Sequence, residues 1–194
     1  LWGQVKPLYE QLHCYTRTKL KTRYGTDKGQ VAGGMLPAHL MGNMWQQDWS
    51  AIYPLVEPYP GVASLDVSGG LKKASYDAVK LTRQAEGFYT SLGLPPLPAT
   101  SWERSLITRP RDREVQCHAS AWDIDNLDDL RIKMCTQVNQ EDFSTVHHEL
   151  GHNYYQRAYK DQPFLFKNGA NDGFHEAIGD FVGLSALTPT YLNQ

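Results

Sequence analysis

The run His148-Glu149-Leu150-Gly151-His152 restricts this sequence more than any other feature, because its three polar side chains act together only on a helix. Residues four apart project from the same side of an α-helix, so His148 and His152 can offer two imidazole nitrogens to one divalent ion. Glu149 lies about 100° further round the axis, where a carboxylate stands beside a water on that ion. The flanking residues predict the helix. Asn139 is a capping residue, and Glu141 and Asp142 stand in the first turn, where anions are favoured. Phe143, Val146, Leu150 and Tyr154 mark a buried stripe that runs to about Lys160, before Pro163. Two imidazoles are one short of the three protein ligands of a catalytic zinc site, so the fold has to supply a third donor from another element.

The next segment offers that donor. Gly169 to Asp180 contains a cap signal and then a helical pattern with Phe174, Ile178, Phe181 and Val182 apolar. Glu176 and Asp180 share a face at i, i+4, flanked by the small residues Ala177, Gly179 and Gly183, and are expected to point inward. Buried carboxylates need a cation or hydrogen-bond donors. Glu176 is therefore read as the third zinc ligand, and Asp180 as the acceptor of a ligating histidine's spare N–H, which fixes its tautomer. The plainer alternative is a helix face bathed by solvent. His147 and His175 are out of phase with the expected metal face. A zinc-stabilised structural module fits less well, since structural sites are usually closed by four Cys or His ligands.

Elsewhere the pattern is mainly helical. Val5, Leu8, Leu12, Tyr15 and Leu20 keep near-helical spacing from Leu1 to Tyr24, Gly25–Gly34 reads as a loop, and Pro37 opens a second helix over Ala38 to about Tyr53. Pro54, Pro58, Pro60 and Gly61 are expected to end it. Ser75 is the expected cap of a third helix through Ala78, Leu81, Ala85, Phe88 and Leu92, closing at Gly93. From Glu114 to Val138 the alternation of Val115, Cys117, Ala119 and Ala121, then of Ile132, Met134 and Thr136, predicts a β-hairpin around Asp125-Asn126. That centre sets Cys117 opposite Cys135, where a disulfide closes a loop worth about 3 kcal/mol by chain entropy and implies an oxidising compartment. Two unpaired buried thiols are the alternative. Cys14 is left over and reads as a small core residue.

Composition removes whole function classes. A formal net charge of −2 gives no basic field for phosphates, so no nucleic-acid partner is expected. No apolar run approaches the roughly 18 residues of a membrane span, and Leu1-Trp2-Gly3-Gln4 lacks a charged stretch followed by an apolar one, so neither a membrane anchor nor a signal peptide is expected within residues 1–194. With 194 residues, 41% of them hydrophobic and 21% charged, the chain reads as one globular region. A first residue that is Leu, and an end just after a patterned helix, lead to the expectation that residues 1–194 are a piece of a longer polypeptide.

Several segments together resemble the angiotensin-converting enzyme family of gluzincin metallopeptidases. They are Pro37-Ala38-His39-Leu40, Gly42-Asn43-Met44-Trp45, Cys117-His118-Ala119-Ser120-Ala121-Trp122-Asp123, Arg131-Ile132-Lys133, Thr145-Val146-His147-His148-Glu149 and Ser185-Ala186-Leu187-Thr188-Pro189. The interval of 24 residues from His152 to Glu176, with His-Glu-Ala-Ile-Gly-Asp around the latter, belongs to the same likeness. Thermolysin-like and aminopeptidase gluzincins place the third carboxylate closer to the second histidine. Asp172 and the Asn153-Tyr154-Tyr155 run depart from the usual family residues.

The resemblance implies a helical zinc-metallopeptidase fold, with residues 1–194 a single region of a peptidase domain whose N- and C-terminal portions lie outside, and a zinc-dependent peptidyl-dipeptidase that releases C-terminal dipeptides from oligopeptides. It implies Glu149 as general base, a Cys117–Cys135 bridge, His118 as a hydrogen-bonding partner of a substrate carbonyl, and Ala119 as a backbone contact. Without the family, His118 reads equally as a packed strand histidine. Gln47 matches the family's Gln that binds the substrate's terminal carboxylate. A paralogue that releases single residues has Arg there, and Gln162-Pro163-Phe164-Leu165-Phe166 is similar to that paralogue, so single-residue carboxypeptidase activity stays as an alternative. A non-catalytic zinc-binding ectodomain is another. The family's oxyanion donors, carboxylate-gripping Lys and Tyr, and Arg residues that hold activating chloride are implied to lie beyond Gln194. The localisation implied is extracellular, secreted or membrane-tethered. No Asn-x-Ser/Thr sequon occurs among residues 1–194.

Overall fold

A computed structural model of the chain describes residues 1–25, 35–41, 46, 49, 52–60 and 66–193. Their packing forms two units, Leu1–Ser64 and Leu65–Gln194. The architecture is mainly helical with one two-stranded antiparallel hairpin, as the periodicities predict.

In the first unit, helix α1 spans Trp2–Tyr24 and ends at Gly25, whose φ of 73° is easy only for glycine. Its buried Leu20 packs with Met41 and Ile52. Cys14 is exposed, not part of a core as expected. The expected helix over Ala38–Tyr53 is not continuous: the described residues give a single 3-10 turn, Ala38–Leu40, after Pro37. Residues 42–45, 47–48 and 50–51 lie outside the described residues. A short helix α2, Tyr53–Val56, then carries Pro54 in its first turn. Proline's fixed φ suits that position, so Pro54 lies in the opening turn of a helix here.

The second unit holds the site. Helix α3 spans Ser68–Lys73 and α4 spans Ala78–Ser91. The cap of α4 is Asp77, whose carboxylate accepts the Lys80 N–H at 2.7 Å. Ser75, the expected cap, has φ 54° and turns the chain instead, a backbone incompatible with the extended conformation of an N-cap. Helix α5 follows at Ala99–Arg104. Strands β1, Ser120–Asp123, and β2, Leu130–Lys133, pair with Ala121 opposite Ile132, around Asn126 at φ 59°. Cys117 and Cys135 form a disulfide just beyond the paired residues, with Cα atoms 5.1 Å apart.

Helix α6, Gln140–Tyr159, starts where the Asn139 side chain accepts the Asp142 N–H at 2.7 Å. A 3-10 turn, Phe164–Phe166, leads to α7, Asp172–Ala186, capped by Asn171, and α8, Pro189–Leu192. The core is the inner stripe of α6 (Val146, Leu150, Tyr154) closed by Ala85 and Tyr89 of α4, by Ile132, and by Val182 of α7. The rings of Tyr89 and Tyr154 stack 4.2 Å apart, and the Tyr89 hydroxyl donates to the His147 carbonyl at 2.6 Å. Burial pushes the Tyr89 phenol up, so it stays a donor. These contacts clamp α6 between α4, the hairpin and α7.

Candidate metal centre

Glycine sets how closely α7 lies on α6. A Cβ on Gly151 would stand 3.0 Å from both the Gly179 Cα and the Tyr89 hydroxyl, and a Cβ on Gly179 would stand 2.7–2.8 Å from the His148 ring. Gly183 meets Ser144 in the same way, at 3.0 Å. With the two backbones this close, short carboxylates on α7 reach the histidines of α6.

His148 lies between two of them. Its Nδ1 is 2.9 Å from Asp180 Oδ1, and its Nε2 is 3.1 Å from Glu176 Oε2. His152 Nε2 stands 3.0 Å from His148 Nε2 and 3.6 Å from Glu176 Oε1. One ligand atom from each of His148, His152 and Glu176 lies within 4.8 Å of the others, and these three are the one such group among the described residues. If Asp180 accepts the Nδ1–H of His148, the Nε2 lone pair is left facing His152 and Glu176. Two imidazole lone pairs and a carboxylate oxygen at these distances repel unless positive charge sits among them. A divalent ion of the zinc type, which takes nitrogen and oxygen donors, suits this set. Burial, then the neighbouring His148, holds the His152 pKa down, which favours the neutral form a ligand needs.

The carboxylates differ from expectation in one respect. Glu176 and Asp180 do not point inward: their side chains are 63% and 72% exposed, against 19% and 12% for His148 and His152. The inward face of α7 is its narrow stripe of Gly179, Val182, Gly183 and Ala186, and the carboxylates lean over the edge of that contact. Phe174 and Phe181, apolar positions of the same helix, are exposed for the same reason.

Glu149 is 6% exposed. Burial raises its carboxyl to about 7, with His148 pulling it down and Glu176 pushing it up. A group of that pKa can both take and return a proton near neutrality. His175 is the residue that the sequence reading set aside. It is out of phase with Glu176 and Asp180, yet it lies four and eight residues before Gly179 and Gly183, on the stripe that faces α6. Its Nδ1 stands 2.6 Å from His152 Nδ1. The glycine spacing was the signal that could have found it.

The hairpin packs against α6 through the Asn153 amide, which donates to the Trp122 carbonyl at 3.4 Å, and through the core contacts of Ala119 and Ala121. His118 precedes β1 on the surface, its Nδ1 2.9 Å from the Ala119 carbonyl. Gln47 lies outside the described residues.

A family model described as angiotensin-converting enzyme matches residues 1–194. The chain is 50% identical over 197 residues to an angiotensin-converting enzyme of Theromyzon tessulatum, covering all of this chain and 31% of that protein. It is 48% identical over 195 residues to that of Bos taurus and 50% identical over 195 to that of Sus scrofa, covering all of this chain and 15% of each. The chain thus spans less than a third of the length of these relatives.

Proposed function

This chain belongs to the angiotensin-converting enzyme family, and from that premise we propose that it carries the metal-binding and proton-transfer part of a zinc peptidyl-dipeptidase, which releases C-terminal dipeptides from oligopeptides. The observation that carries the reading is the convergence of His148, His152 and Glu176 within 4.8 Å, next to a buried Glu149 whose pKa lies at about 7.

His148 and His152 would hold a zinc ion through Nε2 and Glu176 through its carboxylate. Bound there, it would supply Lewis-acid polarisation of the scissile carbonyl and of the attacking water. Glu149 takes the proton that water loses and returns it to the amine that leaves. Asp180 keeps His148 in the Nδ1–H tautomer and holds its ring in place. His118 and the Ala119 backbone bind the substrate main chain, and Gln47 receives its terminal carboxylate. Gln47 favours dipeptide release over the single-residue alternative. The enzyme acts outside the cell, as a secreted or tethered ectodomain whose chloride ligands lie elsewhere. The Cys117–Cys135 disulfide supports that compartment, and no described helix is long and apolar enough to cross a membrane.

The test is zinc stoichiometry and cleavage of a hippuryl-type tripeptide by the full-length protein and its Glu149→Gln variant. Glu149→Gln is expected to retain zinc and lose roughly 10²- to 10⁴-fold in kcat, the usual contribution of a positioned general base. Wild-type turnover in the variant would remove Glu149 from the mechanism. A wild-type protein that binds zinc without cleaving would favour the non-catalytic ectodomain.

A further inference from the structure

We infer that His175 and Tyr159 form a hydrogen-bonded relay that positions His152 as a metal ligand, with His175 as the neutral acceptor of the His152 Nδ1–H. The inference rests on reading His148, His152 and Glu176 as the ligands.

The two Nδ1 atoms lie 2.6 Å apart, and the ring centroids 4.8 Å apart at 40°. Two lone pairs or two N–H groups cannot face each other at that distance, so one proton lies between them. The Nε2 of His152 faces the ligand group, 3.0 Å from His148 Nε2 and 3.6 Å from Glu176 Oε1. An imidazole that ligates through Nε2 carries its proton on Nδ1, so His152 is the donor. His175 then accepts at Nδ1 and carries its own proton on Nε2. That atom stands 3.3 Å from the Tyr159 hydroxyl, whose oxygen accepts it. Each step fixes the tautomer of the next.

The position is built. The Tyr155 ring lies 4.8 Å from the His175 ring, and the Tyr155 hydroxyl accepts the Ala170 N–H at 2.9 Å. This draws the chain before α7 over His175. At Gly169 a Cβ would come within 2.9 Å of His175 Cδ2 and 3.2 Å of Tyr155 Cε1, so only glycine leaves the ring where it is. The two ligating histidines therefore have different partners. His148 faces a carboxylate, Asp180, and His152 faces an imidazole. A neutral acceptor orients His152 without adding a further carboxylate to a group that already holds Glu176 and Asp180.

The test measures zinc affinity of the full 194-residue chain at fixed pH by competition with a chromogenic chelator, for wild type, His175→Phe, His175→Asn and Tyr159→Phe. Wild type is expected to bind zinc; if it does not, the ligand assignment falls and the relay with it. His175→Phe keeps the ring's bulk and removes the acceptor, and is expected to weaken binding about 10- to 100-fold, the usual effect of losing such a partner. His175→Asn restores an acceptor near the Nδ1 position and is expected to recover most of that loss. Tyr159→Phe is expected to cost a few-fold. Wild-type affinity in His175→Phe would overturn the relay while leaving the metal site standing. Equal weakening in the Phe and Asn variants would reduce His175 to packing and overturn it too. Far-UV circular dichroism of the metal-free variants reports their folding. Should His175→Phe not fold, long-range ¹H–¹⁵N correlation on the zinc-loaded wild type decides: protonation of His175 at Nε2 supports the relay, and protonation at Nδ1 overturns it.

Discussion

At Gly179 any side chain meets the ring of His148 at 2.7–2.8 Å, closer than real Cβ contacts come, and that ring is held at Nδ1 by Asp180 and at Nε2 by Glu176. The ring cannot give way without leaving Glu176. Gly179→Ala is therefore expected to cost about 1–3 kcal/mol of stability by overpacking and to weaken zinc binding roughly tenfold through the displaced ligand. Gly183→Ala is a matched control, because its Cβ would meet the Ser144 hydroxyl, which can rotate away, and it is expected to change both quantities little. Chelator competition with denaturant melts of the metal-free proteins checks the pair; equal affinities would mean that close backbone approach does not set the site. The meeting of His148 and His152 was legible in the sequence because helical spacing alone puts them on one face. His175 was not, because phase was judged against Glu176 and Asp180 and not against the glycines that face α6. The exposure of the two carboxylates was also missed, since an apolar helix was assumed to bury its charged edge.

The hairpin shows how neighbours decide where an element stops. Alternation predicts strands from Glu114 to Val138, yet only Ser120–Asp123 pairs with Leu130–Lys133. Past Lys133 the backbone is used otherwise: Met134 N–H donates to the Leu106 carbonyl at 2.8 Å, and Thr136 N–H to that of Ile107 at 3.0 Å. The segment after α5 bonds the edge of the second arm opposite to β1, a partner of which single-sequence alternation carries no sign. The turn end is held by Asp129, which accepts from Arg131 Nε at 2.8 Å, from Arg131 at 2.7 Å and from Arg104 at 2.6 Å. The Arg131 hydrogen bonds first, then those of Arg104, lower the Asp129 carboxyl to about 2. A folded-state pKa below the unfolded value of about 3.9 means that ionised Asp129 stabilises above pH 4 and loses that contribution as pH falls toward 2. Urea midpoints of wild type and Asp129→Asn are expected to differ at neutral pH and to converge between pH 4 and 2. A gap that persists unchanged at pH 2 would place the hairpin's anchor elsewhere.

For the whole molecule, the apolar surface is in the wrong place for a free-standing enzyme. Phe164, Leu165 and Phe166 are 84%, 85% and 66% exposed, and on α7 Phe174, Phe181 and Leu184 are 50%, 70% and 73% exposed. Monomeric soluble proteins rarely leave contiguous apolar patches of that kind open. The relatives extend well beyond the matched region, since this chain spans 31% of one and 15% of others. The metal group shares the exposed side, with Glu176 and Asp180 mostly in solvent. Electrostatic stabilisation of a transition state depends on aimed donors in a site from which water is excluded, and an open edge provides no such enclosure. Two outcomes are expected of the 194-residue chain alone. It cleaves a hippuryl-type tripeptide negligibly even when zinc is bound, and it binds a hydrophobic dye and self-associates as concentration rises. Phe181→Asp is expected to reduce dye fluorescence and association while leaving zinc affinity within a few-fold, because the Phe181 side chain is 70% exposed and off the stripe of α7 that faces α6. A monomer that cleaves the tripeptide efficiently and binds no dye would show that the exposed helix face needs no cover and that the three ligands with Glu149 suffice for catalysis.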